Sequence, residues 1–305
     1  VVYTLSTPDI QANKNRTAIC LIKTDGTGRI QLTQGKESQV EPAFIDEGER
    51  IAYLQGGNLW TMKCDGTDKK QLSQGEDIEG YKFSPDGKQI VVIRQVASTT
   101  SIMPKEKDLP LATGLVINDM NYRHWDQYVQ TIPHIFLASV EKDGLGEMKD
   151  LLEGEPYECP VLPFGGSEQF CWSPDGKQIA YTSRKKTGVD YATSTDTDIY
   201  IYNVETGQTT NVCKPEGYVE PKADALKSLE KQAKNQQSED INAGYDQDPQ
   251  FSPDGTMLAW KSMERDGYES DRLRLCILNL KTGTKSYLTE QFESGVDAFS
   301  WAEDN

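Results

Sequence analysis

The stretch Phe83-Ser84-Pro85-Asp86-Gly87-Lys88-Gln89-Ile90 decides how this chain folds. It returns as Trp172-Ser173-Pro174-Asp175-Gly176-Lys177-Gln178-Ile179, and again as Phe251-Ser252-Pro253-Asp254-Gly255-Thr256-Met257-Leu258. Phe44-Ile45-Asp46-Glu47-Gly48-Glu49-Arg50-Ile51 is a degenerate copy, and Trp301-Ala302-Glu303-Asp304-Asn305 a clipped one. The phrase has the chemistry of a hairpin. An aromatic closes one strand and faces the core. Pro presets φ, and Asp-Gly supplies the special backbone angles of a tight turn. A β-rich apolar run follows, as in Ile90-Val91-Val92-Ile93 or Leu258-Ala259-Trp260.

A second phrase follows the first. Leu59-Trp60-Thr61-Met62-Lys63-Cys64-Asp65-Gly66 leads through a turn into Gln71-Leu72. Equivalent runs begin at Ile19, Asp198 and Leu273. Together the two phrases make four strands, a–b–c–d, with tight turns at a–b and c–d. Phe44 and Phe83 stand about 40 residues apart, the length of one propeller blade. The later copies are spaced more widely, so they carry insertions. The sequence predicts an all-β fold: a β-propeller of four-stranded blades, about five blade-equivalents over residues 1–305, with one short helical insertion. Four blades start at Phe44, Phe83, Trp172 and Phe251, and a fifth is split between the termini. Val296–Trp301 are expected to complete it beside Val1–Ser6, which read as a strand already inside a fold.

The insertions fall in b–c slots (Ala97–Thr131, Arg184–Thr197, Met263–Arg272) and d–a slots (Gly154–Glu168, Lys214–Gln247). The last contains Pro221–Ala233, which reads as a short helix with Pro in its first turn. In an up-and-down blade, b–c and d–a connections leave from one end of the strands and the Asp-Gly turns from the other. The decorated end is therefore the expected binding face, because function collects in loops held by rigid strands.

Composition narrows the chemistry. Lys and Arg number 32 against 48 Asp and Glu, a net charge of −16. Such a surface repels phosphate backbones, so nucleic acid is not an expected partner. No run of 18 apolar residues is present, so no membrane-spanning helix is expected. The six cysteines form no CxxC pair and read as mostly buried free thiols, although a Cys159–Cys171 bridge is conceivable. There is no G-x-S-x-G elbow, no P-loop and no H-E-x-x-H. The two histidines, His124 and His134, accompany no Ser or Cys elbow. No catalytic residue, cofactor or metal site is assigned. Asp196-Thr197-Asp198 lacks the ligand density of a calcium loop and reads as a solvated acidic loop. Asn15-Arg16-Thr17 matches a glycosylation sequon of a kind common by chance.

Two polar, aromatic clusters stand out in the insertions. One is Tyr122-Arg123-His124-Trp125-Asp126; the other is Ser262-Met263-Glu264-Arg265-Asp266-Gly267-Tyr268-Glu269-Ser270-Asp271. Arg123, Trp125, Asp126, Arg265, Tyr268, Glu269 and Asp271 are the candidate substrate-facing residues. The competing view is that each group only braces its own loop through Arg–carboxylate pairs.

These clusters, with the Ser-Pro-Asp-Gly blades and the stretch Gly244–Gly255, resemble the prolyl oligopeptidase family, in its bacterial dipeptidyl aminopeptidase and acylaminoacyl peptidase branch. Ser-Pro-Asp-Gly alone is shared with TolB-like propellers; the clusters carry the resemblance. The family joins an N-terminal propeller, usually of seven blades, to an α/β-hydrolase domain with a Ser-Asp-His triad. The propeller caps the active site and filters substrates by size. The resemblance therefore implies peptide substrates, a C-terminal hydrolase domain as partner, and a periplasmic or secreted location. This sequence shows no hydrolase domain and fewer blades, so no triad residue transfers. The expected function is that of a peptide-selecting, substrate-gating propeller of a serine peptidase, non-catalytic by itself. The alternative is a stand-alone TolB-like propeller for protein–protein interaction.

Overall fold

The three Ser-Pro-Asp-Gly turns are built alike. In each, the Asp carboxylate accepts from the Ser hydroxyl and from the backbone N–H two residues on (Ser84 and Lys88, Ser173 and Lys177, Ser252 and Thr256). The same Ser Oγ accepts the N–H of the first residue of the next strand, at 2.9–3.0 Å. Glycine closes the turn with φ near +70° (Gly87 69°, Gly176 69°, Gly255 71°), a conformation that costs an L side chain strain. Short polar side chains thus satisfy the turn's own backbone, and the strands on either side enter in fixed register.

The computed structural model describes residues 1–34, 37–98, 111, 122–124, 127–215, 217–218 and 242–303. They form two compact units. Residues 1–94 and 135–150 make the first; residues 95–134 and 151–305 make the second.

In the first unit, β1 (Val2–Asp9), β2 (Lys14–Leu21) and β3 (Ile30–Gln31) form a three-stranded antiparallel sheet. A four-stranded sheet follows: β4 (Gln39–Ile45), β5 (Arg50–Gln55), β6 (Asn58–Lys63) and β7 (Lys70–Gln71). The next combines β8 (Gly80–Phe83), β9 (Gln89–Ala97), β12 (Thr131–Glu141) and the short β13 (Gly144–Leu145) and β14 (Lys149–Asp150). Between β9 and β12 in sequence, and assigned to the second unit, is a small hairpin, β10 (Tyr122–His124) with β11 (Gln127–Tyr128). Apolar side chains on alternate strand positions make a core of Ile19, Leu32, Ile51, Tyr53 and Met62.

The second unit holds two four-stranded blades. One is β15 (Phe170–Trp172), β16 (Gln178–Ser183), β17 (Asp198–Asn203) and β18 (Thr209–Asn211). The other is β19 (Asp246–Phe251), β20 (Met257–Ser262), β21 (Arg274–Asn279) and β22 (Lys285–Tyr287). Ile199 and Ile201 of one blade pack with Phe251, Leu258, Trp260, Cys276 and Leu278 of the other. The two Asp-Gly turns are neighbours: a Cβ on Gly255 would lie 3.6 Å from Pro174. The b–c connections consequently meet at the opposite strand ends.

The a–b–c–d reading and its turn positions match the sheets. Other expectations need revision. Residues 296–301, expected as a strand, form none. The tail instead satisfies its backbone on its own unit, through Val296 N–H to Leu273 O and through Gln250 and Lys261 side chains to Phe299 O and Asp297 O. The 184–197 connection carries a six-residue helix, α1 (Gly188–Thr193), that the sequence did not announce. The expected helix at Pro221–Ala233 lies outside the described residues. The cysteines need no revision: all six are free thiols, as the sequence reading favours, Cys159 and Cys171 included.

Candidate functional site

Ser194-Thr195-Asp196-Thr197-Asp198 joins α1 to β17. It is the segment the sequence describes as a solvated acidic loop, and here the structure corrects it: all five residues are buried. Each is tied to another segment. Ser194 Oγ and the Thr195 N–H donate to Asp266 Oδ1 at 2.6 and 2.9 Å. Thr197 exchanges hydrogen bonds with the Asp246 backbone. Asn211 donates to Asp198 at 2.8 Å.

The charges are matched by buried lysine. Lys214, whose side chain is 3% exposed, sets its ammonium 2.7 Å from Asp196 and 3.1 Å from Asp198, and donates to Asn242 O at 2.7 Å. Lys186 pairs with the other Asp196 oxygen at 2.9 Å. Burial alone would pull the Lys214 ammonium pKa down, but the two carboxylates outweigh it and raise it. Burial raises Asp198, with Asp196 adding repulsion and Lys214 opposing. Asp246 is buried more deeply still. Burial pushes its carboxyl up to about 6, while its Oδ1 accepts from Trp260 Nε1 at 2.9 Å and Asn242 Nδ2 at 3.0 Å.

Asp198, Cys213 and Asp246 place potential ligand atoms within 4.8 Å of one another. They do not make a persuasive metal site. The Lys214 ammonium already supplies the cation beside Asp198, two N–H donors occupy Asp246, and burial pushes the Cys213 thiol up, away from the thiolate a metal needs. The network itself lines one side of a cleft of about 580 Å³, through Lys186, Asp196, Asp198 and Lys214, with Lys185 and Tyr218 also bordering it. Its lysines are engaged, Lys185 with Glu155 at 2.6 Å and with the Tyr200 ring at 4.6 Å.

The loop from Met263 to Leu273 is polar too, but from Glu264 to Ser270 every residue except Asp266 is exposed. Arg265 is paired side-on with Asp271: Nε to Oδ2 is 3.2 Å and Nη2 to Oδ1 is 2.9 Å. Its guanidinium lies 4.1 Å from the Tyr268 ring centre. The Arg265 side chain is 42% exposed and Tyr268 is 48% exposed. Burial works against ionised Asp271, yet hydrogen bonds from Arg265 and from the Arg272 and Arg265 backbone bring it down to about 2. Glu269 is exposed at the tip of the same loop.

The structure therefore brings Arg265, Tyr268 and Asp271 into one contact group, with Glu269 on the same loop. Arg123 lies on β10, and Trp125 and Asp126 lie outside the described residues. His134 is buried on β12. Reasoning from sequence missed Lys214, Asp246 and Asn242, which have no shared motif and meet only through the fold. It also passed over Asp266, which stands in the middle of a flagged cluster.

No family model matches the chain. Among curated proteins, dipeptidyl-peptidase 5 of Porphyromonas gingivalis is 43% identical over 312 residues, taking in all of this chain and 41% of that protein. The dipeptidyl-peptidase 5 of Porphyromonas endodontalis is 42% identical over 283 residues, covering 91% of this chain and 37% of that protein. The chain thus spans about two fifths of the length of these curated relatives. Among solved structures, an acylaminoacyl peptidase of Pyrococcus horikoshii superposes with a TM-score of 0.60 at 12% identity, over 97% of this chain and 39% of that one. The β-propeller domain of the Trilobed protease from Pyrococcus furiosus gives 0.51 at 12% identity, over 97% and 70%. These likenesses establish the fold as a β-propeller.

Proposed function

We propose, from the premise that this chain is a propeller of the prolyl oligopeptidase type and kin to the dipeptidyl-peptidase 5 proteins, that it selects peptides for a serine peptidase and performs no bond cleavage itself. The hydrolase domain of that enzyme is its proposed partner, and a periplasmic or secreted location goes with this reading. No helix among the described residues is long and apolar enough to cross a membrane.

The carrying observation is the exposed Arg265–Asp271–Tyr268 group beside Glu269. Asp271 occupies the Nε–Nη2 edge of the guanidinium and neutralises most of its charge. The outward edge keeps N–H donors for a peptide carbonyl or carboxylate. The Tyr268 ring holds the guanidinium plane, so little side-chain freedom is lost on binding. The Glu269 carboxylate suits the free ammonium of a peptide. Arg123, Trp125 and Asp126 are proposed to serve the same substrates from their own insertion.

The test is a titration of the purified chain with a fluorescent peptide bearing a free amino terminus and with its N-acetylated form. The reading expects tighter binding of the free form, loss of that preference in Glu269→Gln, and no turnover of dipeptidyl chromogenic substrates. Equal binding of both peptides favours the alternative, a propeller that only docks proteins. Turnover blocked by a serine-directed phosphonylating reagent overturns the non-catalytic assignment.

A further inference from the structure

We infer that Asp266 is a positioning residue: it latches the 263–273 loop onto the buried segment 194–198 of the preceding blade and so fixes where Arg265 and Tyr268 stand. This rests on the reading of that loop as peptide-facing. The side chains of Arg265 and Tyr268 flank Asp266 closely in sequence but, among the described residues, rest on each other and on Asp271. Nothing in that trio connects them to the blade core. Asp266 does. Its Oδ1 takes two donors from the neighbouring blade, Ser194 Oγ at 2.6 Å and Thr195 N at 2.9 Å. Thr195 Oγ1 completes the latch from the other side, donating to Arg265 O at 3.2 Å and accepting Gly267 N–H at 2.9 Å. Four hydrogen bonds therefore clamp three consecutive loop residues, while the side chains on either side remain in solvent.

The surface that receives the latch is itself immobilised. Its next residues, Asp196 to Asp198, are held by Lys186, Lys214, Asn211 and the Asp246 backbone. A polar path thus runs from Arg265 through Asp266 and Thr195 to Lys214 in the interior. The arrangement is what a recognition group needs, since an exposed arginine gains from being ordered before the ligand arrives. Gly267, at φ 70°, lets the chain turn immediately after the latch.

Three variants test this in the full chain: Asp266→Ala, Asp266→Asn and Thr195→Val. Hydrogen exchange of the 264–268 amides reads the latch, and affinity for the peptide with a free amino terminus reads its consequence. Asp266→Ala and Thr195→Val should speed exchange in this loop alone. They should weaken peptide binding by about tenfold, the scale of re-ordering one or two side chains, at temperatures where each variant is still folded. Asp266→Asn keeps an oxygen acceptor for Ser194 and Thr195 and should restore both readouts. Unchanged exchange in Asp266→Ala overturns the latch. Faster exchange with undiminished affinity, in a background where Arg265→Ala does weaken binding, overturns its positioning role. Undiminished binding by Arg265→Ala sinks the peptide-facing reading itself, and exchange alone then judges the latch.

Discussion

Two b–c connections of the second unit carry similar chemistry and meet opposite fates. Residues 184–197 and 263–273 are both short and polar, and each mixes carboxylates with basic side chains. In the first, Asp196 is buried and shared between two lysines; in the second, the Arg265 guanidinium and Glu269 face water. Composition does not separate them. Lys214 and Asn242 lie over the first, the ammonium on Asp196 and on the Asn242 carbonyl; among the described residues, nothing covers the second in that way. A buried carboxylate must find a cation or donors, because desolvation is costly, whereas an exposed one can wait for a ligand. The same residue types therefore serve as scaffold in one loop and as a candidate recognition group in the other.

The contrast breaks most visibly at Lys214. Lys214→Ala leaves Asp196 and Asp198 buried without their shared cation. We expect a loss of about 3–5 kcal/mol, the cost of removing one partner of a buried pair, read as a fall in the denaturant midpoint. A loss below about 1 kcal/mol would place these carboxylates in the same class as the exposed loop.

The next effect in size is a pH dependence at Asp246. Its folded-state pKa of about 6 lies above its ordinary 3.8. The folded form thus holds a proton that the unfolded form releases earlier. The stability this contributes is full below 3.8 and lost as pH rises through about 6. Asp246→Asn keeps an oxygen for Trp260 and Asn242 and removes the titration. Melting of the variant relative to the parent should therefore improve from pH 4 to about pH 6 and level off above it. A constant difference over that range would show that Asp246 does not titrate in the fold.

The exposed loop should respond least. Arg265→Ala breaks an ion pair whose arginine is open to solvent, and we expect its melting temperature to stay within about 2 °C of the parent. Peptide affinity should fall all the same. Thermal loss as large as that of Lys214→Ala would make the Arg265 group a scaffold element too.

Most of the strand framework was legible because its signals are local. Ser173-Pro174-Asp175-Gly176 satisfies its own backbone within six residues, and alternation along Ile199-Tyr200-Ile201 assigns faces without knowledge of neighbours. The flagged Arg265–Asp271 pair was readable for the same reason, since its members lie on one loop. The Asp266 latch was not, because its partners Ser194 and Thr195 belong to another blade. The strand expected at 296–301 was argued from repeat position alone, and the segment is not a strand. The chain instead found donors on Gln250 and Lys261.

By itself, then, the sequence determined the blade: turn chemistry, strand order and side-chain alternation all act over a few residues and need no distant partner. Only the tertiary structure decided the state of the charges. Whether Asp196 and Asp198 are solvated or locked on Lys214, and whether Asp246 ionises near 4 or near 6, depends on which remote segments exclude water. Desolvation and ion pairing are set by the burial and neighbours that the fold creates.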